Sequence, residues 1–214
     1  MEINPLDLKA QKFYAHKLMK SSVRIAAGII FLLINTFSLN SQTKPTFSLG
    51  FYGGVFLPAH DFQSSPETGF KIGADLEVTF IGTYALFAAF NYNPGKKKEE
   101  PFYVYSSNPN ITVTEASIGP RWYIGKGRIN AIVEGGLGLY TIHQDSYTYT
   151  FNNEPYTADE YSSGGKFGLN LGAGVNYKLT KKIDLCLKGK INYISINYGE
   201  SYSNIYLGIR YHYK

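Results

Sequence analysis

Two long runs of alternating apolar and polar residues, separated by a short break, form the clearest pattern in the sequence. Over residues 167–179 every odd position is apolar or aromatic, and every even position is glycine, asparagine or lysine. Residues 180–182 interrupt the pattern, which resumes over residues 183–193 with the same period. Because successive side chains of a β-strand point to opposite faces, this alternation predicts two antiparallel strands joined by a tight turn.

The length of the runs favours strands that face lipid. They span 13 and 11 residues, whereas a globular strand typically has ~5 to 6 and a tilted strand crosses a bilayer in ~9 to 11. The polar face is rich in glycine and mixed charge, which suits a crowded lumen, and the apolar face ends in Phe and Tyr, which suits an aromatic girdle. A water-soluble barrel would instead turn its Lys and Asn outward.

Six further segments of similar length are predicted to be strands, five of them with clear alternation, so eight strands are predicted. These are residues 46–56, 69–80, 84–92, 111–124, 128–142 and 202–213. The facing of residues 84–92 stays open because both faces are apolar, and Pro120 is expected near a strand end or a bulge.

The connections between these strands sort into two kinds. Those after the second, fourth and sixth strands are short, and those after the first, third and fifth are long, with residues 93–110 and 143–165 the longest. Short periplasmic turns and long outer loops are typical of outer-membrane barrels. The sequence therefore predicts an all-β fold, a closed eight-stranded antiparallel up-and-down transmembrane β-barrel.

The amino-terminal segment has the pattern of an export signal. Basic residues precede a mainly apolar run of 15 residues at 25–39, and small polar residues follow. We predict a signal peptide at residues 1–41, with Met19 as a possible true start, and a barrel domain at residues 42–214. The run is shorter than the ~20 residues of a membrane-spanning helix.

Composition and charge add two limits. The chain has 22 Gly, 19 Tyr and 14 Phe with only 17% charged residues, which favours strands and tight turns. The net charge of +5 is concentrated at the amino terminus, since residues 42–214 hold 16 basic and 14 acidic side chains, so no nucleic-acid partner is expected. Cys186, the single cysteine, is predicted to be a small buried lumen residue.

Ten charged residues occupy inward positions, five of each sign. The basic ones are Lys71, Arg121, Lys188, Lys190 and Arg210, and the acidic ones are Asp75, Glu77, Glu115, Glu134 and Asp184. An eight-stranded barrel is filled by side chains, so we predict a structural network of salt bridges, with an ion pathway as the alternative. We expect Glu134 and Glu115 to meet Lys188 or Lys190 across the lumen.

A second alternative is a lipid-modifying enzyme. The candidate side chains at the outer strand ends are His60 with Asp61, and His143 with Asp145 and Ser146. A histidine beside a carboxylate in a polar loop is usually solvated surface, so we predict no catalysis. The sequence has no metal-ligand spacing of Cys and His and no phosphate-binding loop, and no cofactor is expected. His212 is expected to fill the periplasmic end of the lumen.

The long loops are the expected site of any surface interaction. Residues 102–105 and 146–151 continue the period of two beyond the membrane-length core. They predict a ribbon above the bilayer that recruits a partner by strand addition. The alternative is that these aromatic residues rest on lipid headgroups.

The last strand carries the most specific motif, an aromatic residue, then glycine, then two alternating aromatics: Tyr206, Gly208, Tyr211 and Tyr213. With this ending, residues 46–213 resemble the small eight-stranded outer-membrane barrel family, which includes the transmembrane domain of outer-membrane protein A and the smaller protein X. The segment GLNLGAGVNYKL is similar to porin-family barrel proteins. Lys214 follows the final aromatic residue, where the family's usual ending has none.

The resemblance implies a location and partners. It implies an integral protein of the Gram-negative outer membrane, surrounded by lipid and lipopolysaccharide, and its terminal motif implies recognition by the barrel assembly machinery. We expect a monomer with a structural or surface-interaction role and no catalysis, with a narrow porin-like channel and a lipid-modifying enzyme as the alternatives.

Overall fold

The structure is a computed structural model and describes residues 45–59, 66–80, 83–98, 104–105, 109–125, 127–195 and 200–213. The predicted signal peptide lies outside these residues. No helix among them is long and apolar enough to cross a membrane. Their strands are β1 (Thr46–Pro58), β2 (Gly69–Thr79), β3 (Tyr84–Lys96), β4 (Val104–Tyr105), β5 (Asn110–Ile124), β6 (Ile129–Gln144), β7 (Tyr147–Phe151), β8 (Glu154–Ala158), β9 (Tyr161–Ser162), β10 (Lys166–Lys178), β11 (Ile183–Ile194) and β12 (Glu200–Tyr213).

Eight of these strands form a closed antiparallel barrel in the order β1, β2, β3, β5, β6, β10, β11 and β12. The first and last strands pair from Phe47 with Tyr213 to Pro58 with Tyr202, which closes the sheet. Closure satisfies the backbone groups that lipid cannot hydrogen-bond. The predicted eight-stranded up-and-down barrel is confirmed.

The registers determine how far the strands tilt. Stepping from Phe56 to its partner on each next strand, the path returns to β1 at Thr46, ten residues away. It passes through Asn204, Lys190, Gly172, Glu134, Arg121, Ala85 and Thr79. With a rise of ~3.3 Å per residue and a strand spacing of ~4.8 Å, this shear gives a tilt of about 40° and a radius of about 8 Å. Side chains fill an interior of that size.

The outward face is an apolar band between two aromatic girdles. On β10, Phe167 and Tyr177 both face outward, and at this tilt their separation along the axis is about 25 Å, the height of a lipid-facing band. Exposed aromatic residues near the periplasmic end are Phe47, Tyr84, Trp122, Tyr177, Tyr211 and Tyr213. Those near the outer end are Phe70, Tyr92, Phe167 and Tyr193.

The long connections at residues 93–110 and 143–165 contain short strands at residues 104–105 and 147–151, within the stretches where the period of two predicts a ribbon. The correction concerns the flanking barrel strands, which extend farther than predicted. β3 continues to Lys96, which pairs with Asn110 on β5, because the ladder extends beyond the membrane-length core. Short strands β4, β7 and β8 form a separate three-stranded sheet, the outer sheet. Asn152 and Asn153 join β7 to β8 with φ of 50° and 65°, the left-handed pair that a two-residue type I′ turn requires.

Pro120 lies in the middle of β5, where neither a strand end nor a bulge occurs. The register of β5 on β6 is the same on both sides of it, but pairing with β6 lapses at Gly119 and Pro120. A Cβ at Gly119 would meet the carbonyl oxygen of Gly135. Close backbone approach at these glycines accommodates the missing N–H without a bulge.

Candidate functional site

The inward side chains are stacked in layers along the barrel axis. An apolar layer closes the outer end, charged and amide side chains occupy the middle, and a polar cavity opens at the periplasmic end. Each layer is built from the inward positions that the period of two assigns to the strands.

Seven buried side chains form the outer layer, which we call the apolar plug. They are Phe56, Ile111, Val113, Tyr140, Ile142, Ile194 and Tyr202, each at most 1% exposed. The rings of Phe56 and Tyr202 lie 5.2 Å apart, and those of Tyr140 and Tyr202 lie 6.3 Å apart. The plug separates the polar interior beneath it from the outer surface.

Three carboxylates and three bases form one compact group in the middle, which we call the central ion cluster: Asp75, Glu77, Glu134, Arg121, Lys188 and Arg210. The Arg121 guanidinium contacts all three acids, with Nη2 2.6 Å from Asp75, Nε 2.7 Å from Glu134 and Nη1 paired with Glu77. Lys188 Nζ lies 3.4 Å from Asp75 and 3.2 Å from Glu134. Equal numbers of each sign keep this buried cluster neutral.

Arg210 joins the central ion cluster from β12, beside the seam where the barrel closes. Its Nη2 lies 3.3 Å from Asp75, and its Nη1 lies 3.4 Å from Glu77. Nη2 also donates to the Tyr52 hydroxyl at 2.6 Å, and that hydroxyl donates to Asp75 at 2.9 Å. The last strand is thereby tied to β1 and β2 through the lumen.

A second ion pair lies nearer the outer end. Lys190 on β11 pairs with Glu115 on β5 across the lumen. Glu115 also accepts from the Ser117 hydroxyl at 2.6 Å and from the Tyr202 hydroxyl at 3.2 Å. Both expected meetings, Glu134 with Lys188 and Glu115 with Lys190, occur in the structure.

Lys71 and Asp184, the two remaining predicted residues, lie at different heights and do not meet. Asp184, at the periplasmic end, accepts from Asn176 Nδ2 at 2.7 Å and contacts His212 Nε2 at 2.6 Å. Lys71 Nζ lies 4.6 Å from the centre of the Tyr206 ring and meets no hydrogen-bond acceptor among the described residues. Four bases therefore pair with four acids, although the totals are five and five.

Residues 25–213 match a family model that is described as "Outer membrane protein beta-barrel domain". The chain belongs to this outer-membrane β-barrel family. Its fold is similar to a major outer membrane protein from Thermus thermophilus, at 12% identity and a TM-score of 0.53 over 80% of this chain and 100% of that one.

Two further solved barrels are similar. Neisserial surface protein A shares 15% identity, with a TM-score of 0.50 over 79% of this chain and 99% of that one. Ail, the attachment invasion locus protein of Yersinia pestis, shares 11% identity, with a TM-score of 0.50 over 80% of this chain and 100% of that one. At these identities the likeness shows the fold alone. No curated protein matches the sequence significantly.

The terminal motif of this outer-membrane barrel is split between two faces. Tyr206 and Gly208 face the lumen, and Tyr211 and Tyr213 face outward with ring centres 4.8 Å apart. A Cβ at Gly208 would meet the Tyr52 ring, so only glycine lets this ring lie across β12 and reach the central ion cluster. Recognition of the motif by the assembly machinery stays a prediction.

The barrel's histidine candidates have different surroundings. His143 Nε2 lies 3.3 Å from Asp145, and Nδ1 lies 3.6 Å from Glu160, with the histidine side chain 40% exposed. Ser146 forms no hydrogen bond with this histidine, both being described residues. His60 and Asp61 lie outside the described residues. No cluster of three metal-binding side chains occurs in the part of the chain that the structure describes.

His212 bridges three strands at the periplasmic end. Its Nδ1 lies 2.7 Å from the hydroxyl of Ser48 on β1, and its Nε2 contacts Asp184 on β11. Ser48 is buried in the wall, so this series of contacts ties strands together. His212 borders a cavity of about 400 Å³. The two carboxylates that line this cavity, Asp184 and Glu77, already have hydrogen-bond partners within the barrel.

Sequence reasoning missed several lumen residues. Glu200 is buried but lies outside the predicted last strand, which began at residue 202. Glu200 lies two residues before Tyr202, which faces the lumen, and this spacing could have predicted that Glu200 faces the lumen too. Asn91 and Asn93 are buried on β3, whose facing the sequence left open. Tyr52 was assigned inward, but its link between Asp75 and Arg210 depends on the shear.

Proposed function

We propose that this outer-membrane barrel is non-catalytic and binds a basic protein surface through its outer sheet. The observation that carries the proposal is an aromatic outer sheet with an acidic β7–β8 hairpin, built from the two longest connections above a lumen closed by the apolar plug.

One face of the outer sheet carries a row of tyrosines. Tyr149 on β7 lies opposite Tyr156 on β8, with ring centres 5.6 Å apart and planes within 20°. Tyr147 continues the row, 5.8 Å from Tyr149. Tyrosines supply large, rigid contact area with a hydroxyl at the tip, which is why they are enriched in binding surfaces.

The charge of the β7–β8 hairpin favours a basic partner. Residues 147–161 contain Glu154, Asp159 and Glu160 but no Lys or Arg; one base from the other connection, Lys97, reaches the row and donates to the Tyr147 hydroxyl at 2.7 Å. Such a surface is repelled by the phosphates of lipid and lipopolysaccharide headgroups and attracts positive charge. This argues against the alternative in which the aromatic residues rest on headgroups.

Strand addition at the edge of the outer sheet is less favoured than side-chain contact with its tyrosine face. The two-residue turn pairs Phe151 with Glu154, so the backbone groups of Pro155 and Thr157 point away from β7. Proline has no N–H, which leaves one outward donor, that of Thr157. A proline on an edge strand is a common protection against pairing with other strands.

The channel and enzyme alternatives have weaker support. The apolar plug and the neutral central ion cluster lie one above the other in the lumen, which disfavours an ion pathway. His143 faces two carboxylates and no nucleophile that it activates. Release of fatty acid from lipopolysaccharide by the purified barrel would overturn the non-catalytic proposal.

Binding by barrels in nanodiscs tests the proposal. Wild-type protein is passed over immobilised lysozyme as a basic probe and albumin as an acidic one, and only the basic probe is expected to retain it. Replacing two tyrosines, Tyr149→Ser with Tyr156→Ser, should weaken binding at least ~10-fold, and added salt should weaken it further.

The matched control changes the opposite face of the same hairpin. Thr150→Ser with Thr157→Ser should bind like wild type, because the register places these residues away from the tyrosine row. Equal retention by both probes, or unchanged binding after loss of the tyrosines, would contradict the proposal. Unheated gel migration verifies that every variant is folded.

A further inference from the structure

Lys71 has no carboxylate partner in its own layer of the lumen among the described residues. The six charges of the central ion cluster cancel, and Lys190 is matched by Glu115. Glu115 is already held by Lys190, Ser117 and Tyr202. Glu200 lies beyond the plug residue Tyr202, farther toward the outer end of β12. The layer around Lys71 therefore has an excess charge of one.

Three buried hydrogen-bond donors on neighbouring strands have no acceptor among the described residues: Lys71 Nζ, Asn192 Nδ2 and Asn204 Nδ2. The Asn204 amide oxygen is likewise without a donor among them. Lys71 pairs with Gly54 and Asn204 with Phe56, so these two side chains flank β1 from opposite sides. Asn192 is diagonal to Asn204 on β11. All three are at most 3% exposed.

A bare ammonium in such surroundings is costly. The Tyr206 ring at 4.6 Å offsets only part of the cost, since cation–π contacts contribute much less than the hydration a buried ion loses. Buried polar groups without partners in a native fold usually have an ordered water or ion beside them.

We infer that Lys71, Asn192 and Asn204 form a binding site for a small monovalent anion such as chloride inside the barrel. The anion accepts hydrogen bonds from the ammonium and the two amides and neutralises the layer. The plug above and the central ion cluster below retain it, so it is bound as the barrel folds.

Refolding in different anions tests this site. Wild-type barrel is refolded in detergent with about 100 mM chloride or with gluconate at equal ionic strength. Gluconate is much larger than chloride and is expected not to enter the lumen, so the thermal midpoint should be about 3 °C higher in chloride. Lys71→Met should lose this difference, and the exposed rim variant Lys178→Met should keep it.

Crystals grown with bromide give a second, independent measurement. An anomalous peak beside the Lys71 ammonium is expected, and this test needs only wild-type protein if Lys71→Met does not fold. A midpoint that is equal in both anions, together with no anomalous peak, would overturn the site and indicate a neutral lysine solvated by water. A chloride effect that persists in Lys71→Met would also overturn it.

Discussion

The central ion cluster and the apolar plug fill the same lumen at two heights with opposite chemistry. The cluster holds six charges with side chains at most 3% exposed, and the plug holds seven apolar or aromatic side chains. In the cluster each charge depends on its partners, because an unmatched charge in low dielectric is very unfavourable. In the plug the loss of one side chain removes only that side chain's packing. Damage to the cluster should therefore cost more.

Loss of Arg121 should have the largest effect. Arg121→Met leaves three carboxylates facing two bases, and we expect the free energy of unfolding to fall by about 3–5 kcal/mol. Urea unfolding followed by fluorescence of Trp122, the single tryptophan, measures the change. Adding Glu77→Gln should recover part of the loss by restoring neutrality.

The control for this variant is Lys178→Met at the exposed periplasmic rim. It removes a base without disturbing a buried pair, so its effect should be within about 0.5 kcal/mol. If the free energy of unfolding fell equally in Arg121→Met and Lys178→Met, burial of the cluster would not explain its contribution to stability.

Truncation of the plug should have the next largest effect. Phe56→Ala leaves a cavity beside Tyr202, and we expect a loss of about 3 kcal/mol in the same unfolding assay. Conductance should remain absent because the central ion cluster still closes the lumen beneath. Open-channel steps in Phe56→Ala would mean that the plug alone seals the barrel.

Replacing Gly208 tests the contact that joins the cluster to the seam. Gly208→Ala should displace the Tyr52 ring and weaken its hydrogen bonds to Asp75 and Arg210, for a loss of about 2 kcal/mol. Gly53→Ala is the matched control, since a Cβ there would meet only the carbonyl oxygen of Lys71 at 3.9 Å. Similar urea midpoints for the two variants would contradict the role of this glycine.

The outer sheet should contribute least to stability. Tyr149→Ser with Tyr156→Ser should change the free energy of unfolding by less than about 0.5 kcal/mol, because these rings pack on each other and not on the barrel lumen. A large loss of stability would mean that the outer sheet is part of the folding core.

The barrel and most lumen residues could be predicted because lipid forces a strict alternation. A charge facing hydrocarbon is so unfavourable that Lys188 and Lys190 had to point inward once residues 183–193 formed a strand. The sequence predicted that Glu134 and Glu115 meet these two lysines but not which lysine each one meets, since that depends on the ten-residue shear that brings β2, β5 and β11 together. Although the inward bases and acids are equal in number, Lys71 and Asp184 therefore lie at different heights and do not pair.

The outer sheet was only partly predictable. The period of two in residues 146–151 indicated strand structure above the membrane, but pairing of β4 with β7 joins segments more than 40 residues apart. The prediction for Pro120 was wrong because Gly119, on the same strand, lies very close to Gly135 and Gly136 on β6. The alternation of apolar and polar residues does not reveal this close approach.

Conductance of the wild-type barrel tests the central claim most directly, namely that the side chains of the lumen close it to ions. Purified, folded protein is inserted into planar bilayers and recorded at both polarities. A closed lumen predicts a baseline current with no sustained steps. Reproducible conductance steps that disappear when the protein is heat-denatured before insertion would contradict the claim and favour a channel.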